Sequence, residues 1–165
     1  MRLFSLFIIV IFLAACGSTE DNYLKPRNLL EYGIPYTILT PDSVDIKKEN
    51  LVVQDEVIIK SQKSDDYEVR IYFGEATKDV TGTKAEHLNN LKSISVYTSV
   101  NVILDEPNGF IFETVIDSTL HNFGFRRIVV QGDREYIFQS GNGTYTKEQA
   151  EEMYQATIPQ EMKKK

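Results

Sequence analysis

The sequence predicts an α+β fold, a mostly antiparallel β-sheet of about six to eight strands with two main helices packed on it. Three observations carry this reading. Short β-branched runs alternate apolar and polar positions with the period of a half-buried strand. Two pairs of such runs are joined by tight-turn sequences, which makes their strands antiparallel neighbours. Two other stretches carry capping-box spacing followed by apolar positions three and four apart, the period of an amphipathic helix.

The elements follow in order. PYTILTP, Pro35 to Pro41, reads as a short strand bounded by prolines. NLVVQ and EVIIKS, on either side of Asp55, read as two short strands with a tight connection. KSDD, Lys63 to Asp66, turns the chain. In YEVRIYF, Tyr67, Val69, Ile71 and Phe73 share one face, with Glu68, Arg70 and Tyr72 on the other. Thr83 and Glu86 stand in capping-box spacing and predict a helix over 84–98, its face formed by Leu88, Leu91 and Ser95.

NVILDEPNGFIFETVID predicts a hairpin turning at Glu106-Pro107-Asn108-Gly109, where Pro fixes φ and Asn-Gly tolerates positive φ. FGFRRIVVQGDREYIFQS predicts a second hairpin with Gly132-Asp133 as a two-residue loop of the primed type, and it leaves His121 in the loop before it. Thr146 and Gln149 repeat the capping-box spacing. They open a closing helix whose buried face is Ala150, Met153, Tyr154 and Thr157, and Pro159 stops it near 157. No internal repeat is evident.

The front of the chain has a different character. Arg2 precedes an apolar run, Leu3 to Ala15, whose only polar residue is Ser5. As a helix it would span roughly 20 Å against a hydrocarbon core of about 30 Å, too short to cross comfortably. The pattern is that of a signal peptide. Leu13-Ala14-Ala15-Cys16 resembles the lipobox of bacterial lipoproteins, which implies cleavage between Ala15 and Cys16 and diacylglycerol on the Cys16 thiol. This is the chain's single cysteine, so lipidation consumes it and no intrachain disulfide can form. One acyl chain gives marginal membrane binding at roughly 0.8 kcal/mol per buried methylene, and two or three make the anchor effectively permanent. Gly17 is not the Asp that resembles an inner-membrane retention signal, which favours the outer membrane. Glu20 and Asp21 resemble the acidic export tags of Bacteroidota surface lipoproteins, and equally a solvated linker.

These readings divide the chain into a signal peptide (1–15), a lipidated cysteine and tether with one loose turn at most (16–33), a single domain (34–158) and a basic tail (159–165). Loss of residues 1–15 leaves 150 residues, one domain's length. It also removes Arg2 and moves the formal charge from −6 to −7. An acidic domain repels nucleic acid, so no nucleic-acid partner is expected. The basic cluster Lys163-Lys164-Lys165 reads as a solubilising tail. The expected partners are the membrane, through Cys16, and an envelope protein.

The order and spacing of elements over about residues 34–158 resemble the PsbP-like family of α/β/α sandwiches. The resemblance rests on the proline-bounded opening strand, the long mid-chain helix, the hairpin around PNG, the VVQGDREYIF hairpin, and the short closing helix after TYT. The absence of Trp departs from many members. The family implies binding or scaffold roles and supplies no catalytic motif.

The residues themselves supply none either. His87 and His121 lack HExxH or paired i, i+4 spacing. Glu86 and Asp117 are their nearest acids, and surface histidines are the simpler reading, so no metal is assigned. Asp65-Asp66, Asp105-Glu106 and Glu151-Glu152 are adjacent pairs rather than carboxylates facing each other across a cleft. Asp42 and Asp45 lack the ligand ladder of a calcium loop. Ser140-Gly141 has no GxSxG setting, and GNGTYT, Gly141 to Thr146, lacks the lysine of a phosphate loop and reads as a strand-to-helix turn. No cofactor is expected. Asn142-Gly143-Thr144 fits an N-glycosylation sequon, and the triplets at Asp42-Ser43-Val44 and Asp117-Ser118-Thr119 resemble Bacteroidota O-glycosylation sites.

The candidate binding surface is Arg126, Arg127 and Arg134 with Tyr136. Its guanidinium groups, brought together across the second hairpin, would hold a carboxylate or phosphate bidentately. Pairing with Asp133 or Glu135 is the alternative. Tyr67, Tyr72, Tyr97, Tyr145 and Tyr154 are further aromatic candidates, with sheet packing the simpler use for most. The leading expectation is therefore a non-catalytic, membrane-anchored envelope domain. The alternative is a small hydrolase assembled around His87 or His121. A third reading, an assembly factor for unfolded partners, requires an exposed apolar patch or an open strand edge.

Overall fold

The computed structural model describes residues 23–159. The signal peptide, the Ala15–Cys16 cleavage and lipidation site and the lysine tail lie outside the described residues. Over the rest, the α+β reading holds. Seven strands form one fully antiparallel sheet, β3-β4-β5-β9-β8-β7-β6. They are β3 (Val44–Asn50), β4 (Asp55–Ser61), β5 (Glu68–Glu75), β6 (Tyr97–Glu106), β7 (Gly109–Ile116), β8 (Leu120–Gln131) and β9 (Arg134–Ser140). Two helices, α1 (Val80–Lys92) and α2 (Lys147–Ala156), pack on opposite faces.

The domain begins earlier than residue 34. β1 (Leu24–Asn28) pairs antiparallel with β2 (Thr37–Pro41) in a separate two-stranded sheet, joined through a 3₁₀ turn at Leu30–Tyr32. Leu29 and Ile34 are fully buried, so most of the predicted tether is folded structure. Pro26 and two basic residues make LKPRN look like a linker. A two-stranded edge ribbon tolerates them because only Leu24 of the strand is buried. The chain enters beside α2, where the Tyr23 hydroxyl donates to Glu152 at 2.9 Å.

Alternation places the core. Tyr67, Val69, Ile71 and Phe73 are all buried on the α2 face, with Val57, Ile59, Phe125, Tyr136 and Phe138 from neighbouring strands. α2 contributes Ala150, Met153 and Tyr154 to this core, and its capping box is formed on both sides by Thr146 and Gln149. On the other face, Leu91 with Phe110 and Phe112 makes a smaller core under α1. Residues 110 and 112 face α1 while Ile111 faces α2, as the pleat requires.

Two boundaries move. NLVVQ is not a strand: β3 is VDIKKEN, paired from Val44↔Ser61 to Asn50↔Asp55, and residues 51–54 form its tip with Val52 and Val53 fully out in solvent. An edge strand buries only one face, so Val44 and Ile46 suffice to seat it. α1 runs 80–92 rather than 84–98. Asp79 is the N-cap, accepting from the Gly82 amide at 2.7 Å, while Thr83 lies inside the helix. At its C-terminal end residues 93–96 turn the chain, and the β-branched sequence from Tyr97 onward goes to β6 instead.

The hairpins form as expected, with one difference at the first. Pro107-Asn108 is the loop between β6 and β7, yet neither Asn108 nor Gly109 has positive φ. Gly109 is required for close approach: a Cβ there would lie 2.6 Å from the Arg126 carbonyl and 2.7 Å from the Tyr154 hydroxyl. In the β8–β9 loop, φ is +63° at Gly132 and not positive at Asp133, which is the II′ pattern. A third hairpin joins β7 to β8 through Asp117 and Ser118, both left-handed, so His121 lies on a strand and not in a loop.

Candidate functional site

α1 packs against β8 and β6 and leaves much of the same face over β5 and β9 uncovered. The result is a groove of about 700 Å³ between the helix flank and the bare strands, lined by Tyr72, His87, Asn90, Arg126, Glu135 and Gln139 among others. The β3–β4 tip borders it through Val53 and Gln54. Beyond the C-terminal end of α1 lies a second cavity of about 220 Å³, walled by Leu91, Phe112 and the 141–143 loop. Arg126 and Gln139 line both.

Three contacts set the chemistry of the groove. The buried Thr83 hydroxyl donates to Glu135 at 3.1 Å and ties α1 to β9. Arg126 lies half-buried with its guanidinium 5.6 Å from the centre of the Phe112 ring and donates to its neighbour's carbonyl, Phe125, at 3.1 Å. Arg126 forms no ion pair with a carboxylate among the described residues, and burial pushes its pKa down to about 10. Burial, and then the Arg126 charge, hold the His87 imidazole below its ordinary range.

The predicted arginine cluster is not brought together. Arg126 and Arg127 are adjacent on β8 and project from opposite faces. Arg126 faces α1; Arg127 is buried under α2, over the Tyr154 ring. Arg134 is exposed at the start of β9, 5.9 Å from the Phe73 ring centre. Tyr136 is core rather than surface, edge-on to Tyr36 at 5.1 Å and stacked on Phe73 at 5.9 Å. Of the other tyrosines, Tyr67, Tyr145 and Tyr154 are buried, while Tyr72 lines the groove and Tyr97 the smaller cavity.

The two histidines divide the features a catalytic site would combine. The His121 Nδ1 lies 2.7 Å from Glu113, but on an exposed strand face. His87 lies in the groove, and its neighbour Glu86 is paired with Lys78. No group of three metal-ligating side chains occurs among the described residues.

The adjacent carboxylates serve the fold. Asp65 pairs with Lys60, Asp66 accepts from Ser64, Glu106 accepts from Tyr154 at 2.6 Å, and Glu151 pairs with Lys147. Ser140 is buried, its Oγ accepting from the Phe125 amide at 3.4 Å. The GNGTYT segment is a strand-to-helix turn, held by Asn122 accepting from the Tyr145 amide at 2.8 Å.

Asn90 and Gln139 are groove residues that the sequence did not single out, and Thr83 and Glu135 stood out there only as a helix cap and an arginine partner. The available signal was strand parity: on β9, residues 135, 137 and 139 must face away from the buried Tyr136 and Phe138.

No family model matches this chain, and no curated protein sequence matches it. Among solved structures, the fold is similar to the solution structure of cyanobacterial PsbP (CyanoP) from Synechocystis sp. PCC 6803. The two are 10% identical with a TM-score of 0.48 over 86% of this chain and 91% of that one.

Proposed function

We propose that this chain is a lipid-anchored domain of the cell envelope that binds a ligand on the α1 face of its sheet and performs no reaction on it. The observation that carries the reading is the 700 Å³ groove beside α1, with Arg126 in its wall unpaired by any carboxylate among the described residues. A groove of that size is in the range of small-molecule sites. His87 within it has no carboxylate in hydrogen-bonding contact among the described residues, and this favours binding over acid–base chemistry. The anchor is inferred from Leu13-Ala14-Ala15-Cys16, and the outer membrane from Gly17. Membership of the PsbP-like family belongs to the same proposal and rests on the order and spacing of the sequence elements.

Two measurements test it. Radiolabelled palmitate should enter the protein and be lost in Cys16→Ala; a bare thiol in the purified product defeats the anchor. Amide spectra of the labelled protein titrated with soluble envelope extract should shift at groove residues. Asn90→Trp, which fills the groove from an exposed helix position, should suppress those shifts. Shifts elsewhere, or shifts indifferent to that substitution, defeat the binding face.

A further inference from the structure

We propose that the smaller cavity is a seat for an anionic group, a carboxylate or a phosphate, with Arg126 as its cationic anchor. This rests on reading the α1 face as the binding face and names the chemistry that it recognises.

The argument begins with charge. Among the described residues, Arg126 is the one cationic side chain lining the 220 Å³ cavity, and no carboxylate lines it. The larger groove is different, because Glu75, Glu86 and Glu135 contribute to its wall. An anion entering the α1 face therefore meets three carboxylates in the wall on one side of Arg126, whereas on the other Glu68, packed behind Gly141, is already paired with Arg70. A desolvated guanidinium without a carboxylate is costly, and a bound anion offsets that cost. Two other partly buried cations of the fold show the usual solution, whereas Arg127, also without a carboxylate among the described residues, is closed in under α2. Arg70 is held between Glu56 at 3.2 Å and Glu68 at 2.9 Å, and Lys84 pairs with Asp105.

The rest of the cavity fits an anion as well. Gln139 and Asn142 bring amide donors to its wall. Ser140 Oγ already accepts from the Phe125 amide, which leaves its own proton to donate. Leu91, Phe112 and Phe123 are apolar walls that lower the local dielectric and so strengthen a charge-assisted hydrogen bond. The planar fork of arginine binds carboxylate or phosphate through two parallel bonds. A volume of about 220 Å³ accommodates either group, since one water occupies about 30 Å³ of liquid. Arg126 and Gln139 also line the larger groove, so the remainder of a ligand held by Arg126 would extend toward that side.

The test is a titration of the labelled full chain in detergent micelles with sodium phosphate, sodium acetate and sodium chloride at matched ionic strength. Saturable shifts are expected at the Arg126 side-chain Nε–H, the Gln139 amide and the Asn142 and Gly143 backbone, with phosphate or acetate and not with chloride. Saturation by phosphate alone assigns a phosphorylated ligand, and by acetate alone a carboxylate. Arg126→Gln should weaken the response about tenfold or more, and Arg126→Lys, which keeps the charge and loses the fork, by less. Arg134→Gln should leave it unchanged. No saturable shift, or saturation unaffected in both Arg126 variants, overturns the proposal. In that event, envelope extract that still shifts residues confined to the larger groove preserves the binding face, whereas an α1 face silent to both defeats that reading too.

Discussion

Arg127 places its guanidinium 3.9 Å from the centre of the Tyr154 ring and donates to the Tyr154 carbonyl at 3.2 Å, so one side chain of β8 fastens α2 by both ring and backbone. The Tyr154 hydroxyl in turn reaches Glu106 on β6 at 2.6 Å. A buried cation is thereby held by a ring face and a carbonyl; among the described residues no carboxylate is in contact with it and its Nε has no hydrogen-bond partner.

That arrangement separates two substitutions. Arg127→Ala removes the stack and the charged hydrogen bond and leaves a hole beneath α2, and should cost about 2–4 kcal/mol in urea unfolding. Arg127→Met fills the space and relieves the unpartnered Nε, and should cost within about 1 kcal/mol. Equal losses for the two would show that the cation–ring contact, rather than volume, is what matters.

Gly109→Ala tests the close approach at the start of β7. The added methyl would meet the Arg126 carbonyl at 2.6 Å and the Tyr154 hydroxyl at 2.7 Å. The backbone atom cannot swing away, so a loss of about 1–3 kcal/mol is expected, with α2 loosened first. Hydrogen exchange of α2 amides should report this loosening before global unfolding does.

His87 gives the stability a pH dependence whose sign is fixed. Burial first, and Arg126 second, hold its pKa below the ordinary value. Between that depressed value and the unfolded value of about 6.5, the unfolded chain binds more protons. The His87 contribution is therefore complete above about pH 6.5 and is lost as pH falls through the folded pKa. His87→Asn should flatten this slope in urea titrations. Arg126→Gln should raise the His87 pKa measured by proton NMR; a fall would contradict the electrostatic assignment.

Thr146→Ala removes one half of the α2 capping box, in which Gln149 also reaches back to the Thr146 amide at 2.9 Å. A loss of about 0.5–2 kcal/mol is expected in thermal unfolding.

Much of this fold is legible where local rules agree. Tyr67, Val69, Ile71 and Phe73 alternate without interruption, and all four are buried on one face. Thr146, Gln149 and the apolar set behind them specify α2 almost to the residue. The sequence misleads where propensity and position conflict. Val52 and Val53 are strong strand formers carried on a hairpin tip, while Lys47 and Lys48 lie in the strand because an edge needs only one apolar face. The arginine cluster failed for a reason already present in the chain: neighbours on a strand face opposite ways, and 126 and 127 are neighbours. The groove had no local signature. It exists because α1, capped at Asp79 and ended at Lys92, lies over β8 and β6 and not over β5, a matter of tertiary placement.

The entry of the chain at Tyr23, fastened to α2 by Glu152, has a consequence for access. Tyr23 and the β1–β2 ribbon lie in the layer behind the sheet, while the groove opens in front. Neither Tyr23 nor any residue of β1 lines the groove, so among the described residues the start of the domain does not narrow its mouth.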